Sequence, residues 1–244
     1  MKTSIRNLLA LGLSLTLLLM FNSCTKESQE QVREGYAAVI NVAADGTTMV
    51  ADASLKYALT DNFSYSDSEL ETLLEVREEE KLARDVYTAL YDKWGSKIFS
   101  NISSAEQTHM DAISLLLNAF SEEYASTGDP GEFTNPAVQE LYTDLVEKGS
   151  GSIENAFNTC ALIEEMDIFD IRRLSENVVN ENIFLVFENL TKGSRNHLRA
   201  FTGQLDNLGL IYTPVYLTQD EFDLIVNSPM ESGKQYWMRS MKTL

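Results

Sequence analysis

The sequence predicts an all-α fold, a four-helix bundle with one long crossover between its second and third long helices. Two observations support this: four long segments repeat apolar residues at helical spacing, and no segment shows a convincing alternating strand pattern. A third is the connection between the second and third segments, which is long enough to contain a short helix of its own. With 44% hydrophobic residues, the 244-residue chain can form a buried core.

Residues 1–23 have the features of a secretory signal peptide. Lys2 and Arg6 precede an apolar run that ends in small residues, and the run is shorter than the roughly 20 residues of a membrane-spanning helix. The segment FNSC is similar to a bacterial lipoprotein cleavage box, with Cys24 as the lipidated first residue of the mature chain. We therefore expect an exported protein, lipid-anchored to the cell envelope on its periplasmic or cell-surface side.

Residues 24–66 are predicted to form a tether or linker after the lipid anchor. The segment TKESQEQ is acidic and polar, the hydrophobic periodicity is weak, and an Asp-Gly pair marks a turn near a short strand-like piece. Cys160 is then the remaining cysteine of the mature chain, so we expect no intramolecular disulfide. Its apolar helical context favours a buried structural thiol.

The first long helix is predicted over YSDSELETLLEVREEEKLARDVYTALYDKW. Ser66 or Ser68 is the candidate N-cap, and the helix is expected to run for about six turns and to end near Gly95. Its core-facing stripe passes through Glu80. A carboxylate that faces the core must be paired or bound to a cation, because an isolated buried charge is strongly unfavourable.

The second long helix is predicted to begin at Ser103, with Glu106 completing a capping box, and to stop before the loop TGDPGEF. Glu106 and His109 stand at positions i and i+3. At about 100° per residue this spacing places both side chains on one helix face. The same face continues through apolar Ile113, so both polar groups are expected to point toward the core.

The crossover is predicted to contain a short helix that starts at Pro136 and ends at Gly149. The third long helix follows, over IENAFNTCALIEEMDIFDIRRLSEN. Its apolar stripe passes through Glu164, whereas Glu165 lies nearer a side shared with Arg172. Glu164 is therefore the expected inward-facing carboxylate.

The fourth long helix is predicted over NIFLVFENLTKGSRNHLRAFTGQLDNLG, with an interruption at Gly193 and a stop at Gly209. Its apolar stripe includes His197, with Ser194 one turn before it. Residues 213–244 contain two prolines and are expected to form a C-terminal extension that packs across the end of the bundle.

Five polar residues on these four core-facing stripes form one candidate metal site. They are Glu80, Glu106, His109, Glu164 and His197, which include both histidines of the chain. Bundles that hold two iron or manganese ions use one Glu from each of two helices and a Glu-x-x-His from each of the other two. The sequence fits this scheme except that Ser194 stands in place of the last Glu, so three carboxylates contribute −3 against the +4 of two divalent cations.

The chain resembles the ferritin-like four-helix proteins, and more narrowly an uncharacterised bacterial ferritin-like family known as a domain of unknown function, with distant similarity to rubrerythrin. The resemblance rests on EEEKLARDVY, SSAEQTHMDAI, ALIEEMDIFDI and GSRNHLRAF, and it spans residues 67–212. It implies an all-α fold and a dinuclear metal site, but no known substrate. Tyr87, one helical repeat below Glu80, either hydrogen-bonds a ligand or belongs to the core.

Histidine and carboxylate ligands suit iron, manganese or zinc, in a mononuclear or a dinuclear site. One hypothesis is an iron centre that reacts with dioxygen or peroxide, as a ferroxidase or an oxidoreductase. The alternative is a non-catalytic binding or structural lipoprotein with a metal-free polar core, in which Arg195 or Arg84 supplies the counter-charge. The net charge of −18 favours cations as ligands and disfavours nucleic acid as a partner.

Overall fold

A computed structural model describes residues 40–42, 48–50, 64–124 and 128–231 of the protein. All of them belong to one compact unit of the chain, Ala37–Leu244. Apart from two three-residue strands, the regular secondary structure of the described residues is helical, in agreement with the predicted all-α class. The predicted signal peptide, the lipid anchor at Cys24, most of the tether and the end of the C-terminal extension lie outside the described residues.

The secondary structure comprises two strands and six helices within the described ranges. The strands β1 (Ile40–Val42) and β2 (Thr48–Val50) pair antiparallel. The helices are α1 (Asp67–Trp94), α2 (Lys97–Ala119), α3 (Pro136–Gly149), α4 (Ile153–Ser175), α5 (Glu181–Asn207) and α6 (Gln219–Val226). In these ranges no helix combines the length and the apolar character that a membrane crossing requires.

Helix α1 begins and ends at local sequence signals. Ser66 caps its start, because its hydroxyl accepts a hydrogen bond from the Glu69 backbone N–H while the Glu69 carboxylate accepts one from the Ser66 N–H. Gly95 ends the helix with a φ of +68°, a conformation that favours glycine. Its 28 residues make about eight turns at roughly 3.6 residues per turn, so the predicted six turns were too few.

The prediction that Ser103 caps the second helix is wrong. Helix α2 starts at Lys97 with Ser96 at its N-cap, so only two residues separate it from α1 and the two helices form a helical hairpin. Ser103 lies inside α2, where its hydroxyl donates a hydrogen bond to the backbone oxygen of Arg84 at 3.1 Å. Glu106 takes no part in capping, and its carboxylate lies in the core.

Helix α5 runs without a break through Gly193, so the predicted interruption is also wrong. A β-carbon at Gly193 would lie only 2.6 Å from His109 Nε2. The glycine therefore allows the imidazole to approach the α5 backbone. Inside a helix, glycine costs roughly 0.5–1 kcal/mol relative to alanine. The helix ends at Asn207, close to the predicted stop at Gly209.

The four long helices enclose one core. Helix α1 packs extensively on α2 and α4 on α5, while α1 also contacts α4 and α2 contacts α5. The short helix α3 lies in the connection between α2 and α4, as predicted, and contacts α1 and α4. Part of the core is aromatic, with centroid separations between 5.3 and 6.2 Å among Tyr87, Phe99, Phe157 and Phe201.

A buried carboxylate holds the chain after α5 against α4. Glu165 accepts a hydrogen bond from the Tyr212 hydroxyl at 2.6 Å. It also accepts hydrogen bonds from the backbone N–H groups of Val215, Tyr216 and Leu217, at distances between 2.6 and 3.0 Å. Because its oxygens are satisfied in this way, the charge is tolerated inside the protein.

Candidate metal centre

The five predicted site residues come together inside the core. Helix α1 provides Glu80, α2 provides Glu106 and His109, α4 provides Glu164, and α5 provides His197. Each is 1% exposed or less. In the described part of the chain, two groups of three have ligand atoms within 4.8 Å of one another: Glu80 with Glu106 and His109, and Glu106 with Glu164 and His197.

Glu106 belongs to both groups and links them. Its Oε2 is 2.8 Å from Nδ1 of His109, and its Oε1 is 3.0 Å from Nδ1 of His197. Glu80 Oε2 lies 3.0 Å from His109 Nδ1, and Glu164 Oε2 lies 3.4 Å from His197 Nδ1. The two imidazole rings are stacked with their centroids 5.6 Å apart. Each Nδ1 therefore faces two carboxylates, one of which is shared.

Protein hydrogen bonds alone do not satisfy this cluster. One Nδ1–H donates a single good hydrogen bond, yet Nδ1 of His109 faces oxygens of both Glu80 and Glu106. Glu80 Oε1 is buried and has no hydrogen-bond partner. A buried acceptor without a partner is unfavourable by about 1–3 kcal/mol, and a cation would remove this penalty. The residues present therefore fit a metal ion with nitrogen and oxygen ligands.

Burial and mutual contact shift the pKa values of the carboxylates in opposite directions. Burial raises the pKa of Glu80 to about 8 and that of Glu164 to about 7, because the neighbouring histidines offset it only in part. Burial also acts to raise the pKa of Glu106, but His197 and His109 outweigh it and hold that pKa well below its usual value. Glu106 is therefore the carboxylate that stays ionised beside both rings.

The pKa values of the two imidazoles are both raised by the neighbouring carboxylates. Burial acts to lower the pKa of His197, but Glu106 and Glu164 outweigh it and raise that pKa to about 9. Glu80 and Glu106 likewise raise the pKa of His109 well above its usual value despite burial. Without metal the cluster therefore holds protons on its rings, and a cation must displace them because ligating imidazoles are neutral.

Tyr87 belongs both to the site and to the core. Its hydroxyl donates a hydrogen bond to Glu164 Oε1 at 2.6 Å, while its ring packs against Phe201 with centroids 5.4 Å apart. Both sequence-based interpretations of Tyr87 therefore apply. The hydrogen bond fixes the orientation of the carboxylate and leaves Oε2 facing His197.

Apolar side chains separate the cluster from solvent. One helical turn from a candidate ligand on each helix, Val76, Ile113, Ile168 and Phe201 are fully buried. Charges inside such a shell interact strongly because the local dielectric constant is low. In such a buried site, unpaired carboxylates are costly and a bound cation would stabilise them.

A family model described as "Uncharacterized protein domain (DUF2202)" matches residues 69–229, which contain all five candidate ligands. The chain belongs to the DUF2202 family. It is 48% identical over 169 residues to the uncharacterised protein MJ0754 of Methanocaldococcus jannaschii, covering 69% of this chain and 91% of that protein. The crystal structure of the hypothetical protein MJ0754 aligns at a TM-score of 0.67 and 46% identity, over 71% of this chain and 99% of that one.

Sequence reasoning missed Asp167 of this DUF2202 chain. Asp167 follows Glu164 by three residues on α4, is 6% exposed, and has a buried Oδ2 without a hydrogen-bond partner. Burial, together with Glu80, Glu164 and Glu106, raises the pKa of Asp167 well above its usual value. The i, i+3 spacing from Glu164 is the signal for Asp167 in the sequence, whereas the apolar stripe of α4 distinguishes only between Glu164 and Glu165.

The two arginines considered as counter-charges in the DUF2202 chain are engaged elsewhere. Arg84 pairs with Asp85 at 2.7 Å, and Arg195 pairs with Glu231 at 2.5 Å. The expectation that either one neutralises the buried glutamates is therefore wrong. The positive charge of the cluster comes from its own two histidines, or from a bound cation.

Proposed function

We propose that this chain is a ferritin-like four-helix bundle whose buried Glu/His cluster binds a pair of metal ions. The observation that carries the proposal is Glu106, whose two oxygens face two different histidines, His109 and His197, at 2.8 and 3.0 Å. One carboxylate shared by two groups of ligands is the arrangement expected of a dinuclear carboxylate centre in a helical bundle. Glu80 and Glu164 complete the two groups.

Iron is the metal that we propose, with manganese and zinc as alternatives that suit the same ligands. Iron bound there would supply electron transfer to dioxygen or peroxide, so the proposed activity is that of a ferroxidase or of a peroxide- or oxygen-linked oxidoreductase. The glutamates and histidines hold the ions, and Tyr87 orients Glu164 through its hydrogen bond. The surrounding apolar side chains exclude water from the reacting centre.

The test of the metal site is plasma mass spectrometry on the protein purified without a polyhistidine tag, before and after reconstitution with Fe²⁺ under argon. Glu106→Gln is the most informative variant, because it removes the shared carboxylate with little change of shape. It should lose all bound metal, whereas Asp111→Ala, which removes an exposed carboxylate from the same helix, should retain it. A folded parent protein that stays metal-free would contradict the proposal and leave a helical scaffold with a polar core.

If metal is bound, the oxidation activity is measured by stopped-flow mixing of the Fe²⁺-loaded protein with oxygenated or peroxide-containing buffer. We expect ferric absorbance to develop faster than in the Glu106→Gln variant, with one oxidant consumed much faster than the other. Equal rates in the parent protein and the variant would show that the site does not accelerate oxidation of Fe²⁺.

The proposal also places the protein at the cell envelope, anchored through a lipid on Cys24. The support is the sequence of residues 1–24, with its charged start, apolar run and FNSC segment. In cells, the wild-type protein should fractionate with membranes and incorporate labelled palmitate, and Cys24→Ser should abolish the labelling. Labelling that persists in the variant would exclude an anchor at this cysteine.

A further inference from the structure

The three glutamates of the centre do not balance two divalent cations. Glu80, Glu106 and Glu164 contribute a charge of −3, against +4 for the two ions. Ser194 stands where the ligand scheme expects a fourth carboxylate, and its hydroxyl donates a hydrogen bond to the backbone oxygen of Leu190 at 3.1 Å. Uncompensated charge in a dry interior is strongly unfavourable. A fourth carboxylate would balance the charge of two bound ions.

Asp167 is the candidate to supply it, although in the described part of the chain its oxygens belong to neither group of three whose ligand atoms lie within 4.8 Å of one another. It follows Glu164 by three residues on α4, a spacing that puts both side chains on one helix face. Helix α4 contacts α1, which carries Glu80. Asp167 is only 6% exposed, and its Oδ2 is buried without a hydrogen-bond partner. Burial, together with the charges of Glu80 and Glu164 in the centre, raises the pKa of Asp167 well above its usual value.

The neighbouring acidic residues on α4, Glu165 and Asp170, have hydrogen-bond or ion-pair partners within the protein. Glu165 accepts hydrogen bonds from Tyr212 and from the backbone of residues 215–217. Asp170 has a side chain 25% exposed and pairs with Arg173 at 3.0 Å. Asp167 differs from both because it combines burial with an oxygen that no protein group satisfies. That combination is expected of a ligand whose partner is a cation.

We propose that Asp167 is the fourth carboxylate of the centre, in place of the glutamate that Ser194 replaces, and that the protein consequently binds two divalent cations. This proposal rests on the proposed metal site. With Asp167 the carboxylates contribute −4, which matches the charge of two divalent ions. The replacement moves the fourth negative charge from helix α5 to helix α4.

The experiment is a titration of the full chain with Fe²⁺ under argon, with bound metal counted by plasma mass spectrometry after equilibrium dialysis. The wild-type protein should bind two ions. Asp167→Asn, which keeps the shape of the side chain, should bind one ion and weaken the second site at least tenfold. Asp170→Asn makes the same change of charge one turn along α4 at a partly exposed position, and it should still bind two ions.

The possible outcomes distinguish the role of Asp167 from the existence of the metal site itself. Two ions of unchanged affinity in Asp167→Asn would overturn the role of Asp167 and leave the dinuclear site intact. A single ion in the wild-type protein would overturn both the role of Asp167 and the pairing of the ions, and would leave a mononuclear metal site. No ion in the wild-type protein would overturn the metal site itself. The metal-free Asp167→Asn variant should melt no lower than the wild-type protein, because the substitution removes an unpaired buried acid, so its loss of metal cannot be attributed to unfolding.

Discussion

Glu164 and Glu165 are neighbours in the sequence and are both fully buried, yet they have different partners. Glu164 faces His197 in the cluster, whereas Glu165 binds the chain that follows α5. The apolar stripe of α4 was sufficient to assign Glu164 to the inner face. It did not show that Glu165 is buried, because the backbone N–H groups that satisfy it come from about fifty residues further along the chain.

Glu165→Gln should lower the free energy of unfolding by about 2–4 kcal/mol, because the amide NH₂ group would oppose backbone donors that now bind a carboxylate. Its metal content should remain that of the wild-type protein. Glu164→Gln should do the opposite, losing metal while the metal-free form keeps its stability. Urea denaturation with metal analysis on both variants is the measurement. Loss of metal in Glu165→Gln at unchanged stability would contradict the assignment.

On helix α5, Gly193 is the position where the His109 ring of α2 approaches the backbone. The His109 ring lies against Gly193, where a β-carbon would be 2.6 Å from Nε2, whereas a β-carbon at Gly203 on the same helix would meet nothing within 4 Å. Gly193→Ala should therefore displace the ring and weaken metal binding at least tenfold, with helicity unchanged. Gly203→Ala should retain metal and stabilise the protein by up to about 1 kcal/mol.

Isothermal titration and circular dichroism on these two glycine variants provide the measurement. The two substitutions are chemically identical and lie on one helix, so any difference between them arises from the His109 contact. Equal metal affinities would show that the centre tolerates movement of the ring.

The elements that were predicted correctly are those whose boundaries are set locally. Ser66 and Gly95 define α1, and Pro136 begins α3, because capping and backbone conformation depend on a few adjacent residues. The errors arose where a distant group decides the structure. The Ser103 hydroxyl donates a hydrogen bond to a backbone oxygen of α1, and Gly193 on α5 accommodates the His109 ring from α2.

Two further features were missed for related reasons. Helix α6 has a Thr-x-x-Glu capping box at Thr218 and Glu221, but its eight residues are too few to show a clear periodicity. Asp167 lacks a partner among the protein groups of the described chain, so only its burial in three dimensions distinguishes it from a surface acid. The positions of the five glutamates and histidines could be predicted because each lies on an apolar stripe at helical spacing.

The buried cluster should make the stability of the whole protein depend on pH. In the metal-free form, Glu80 and Glu164 have pKa values of about 8 and 7, above their usual 4.5, so they favour the folded state at low pH and lose that contribution as pH rises to 8. His197, raised to about 9 from 6.5, acts in the same direction. The pKa of Glu106 is lowered, so its contribution to stability changes with pH in the opposite direction, but only at pH values below 4.5.

The melting temperature of the metal-free protein should therefore fall between about pH 5.5 and 8.5, and Glu80→Gln should reduce the slope. The increase in melting temperature on adding metal should grow over the same range, because the ligands bind in their deprotonated forms. Differential scanning calorimetry with and without metal tests both trends. A metal-free protein that becomes steadily more stable toward pH 8.5 would contradict this account.

The candidate ligands begin at Glu80 on α1 and end at His197 on α5, with no two from adjacent positions. During synthesis the chain must therefore be nearly complete before the last ligand exists, and four helices must dock across long sequence separations before the ligands meet. A fragment that ends before α5 retains the acidic groups but not the second imidazole. If the centre binds metal as proposed, metal capture would be a late step of folding and would distinguish a finished chain from a truncated one.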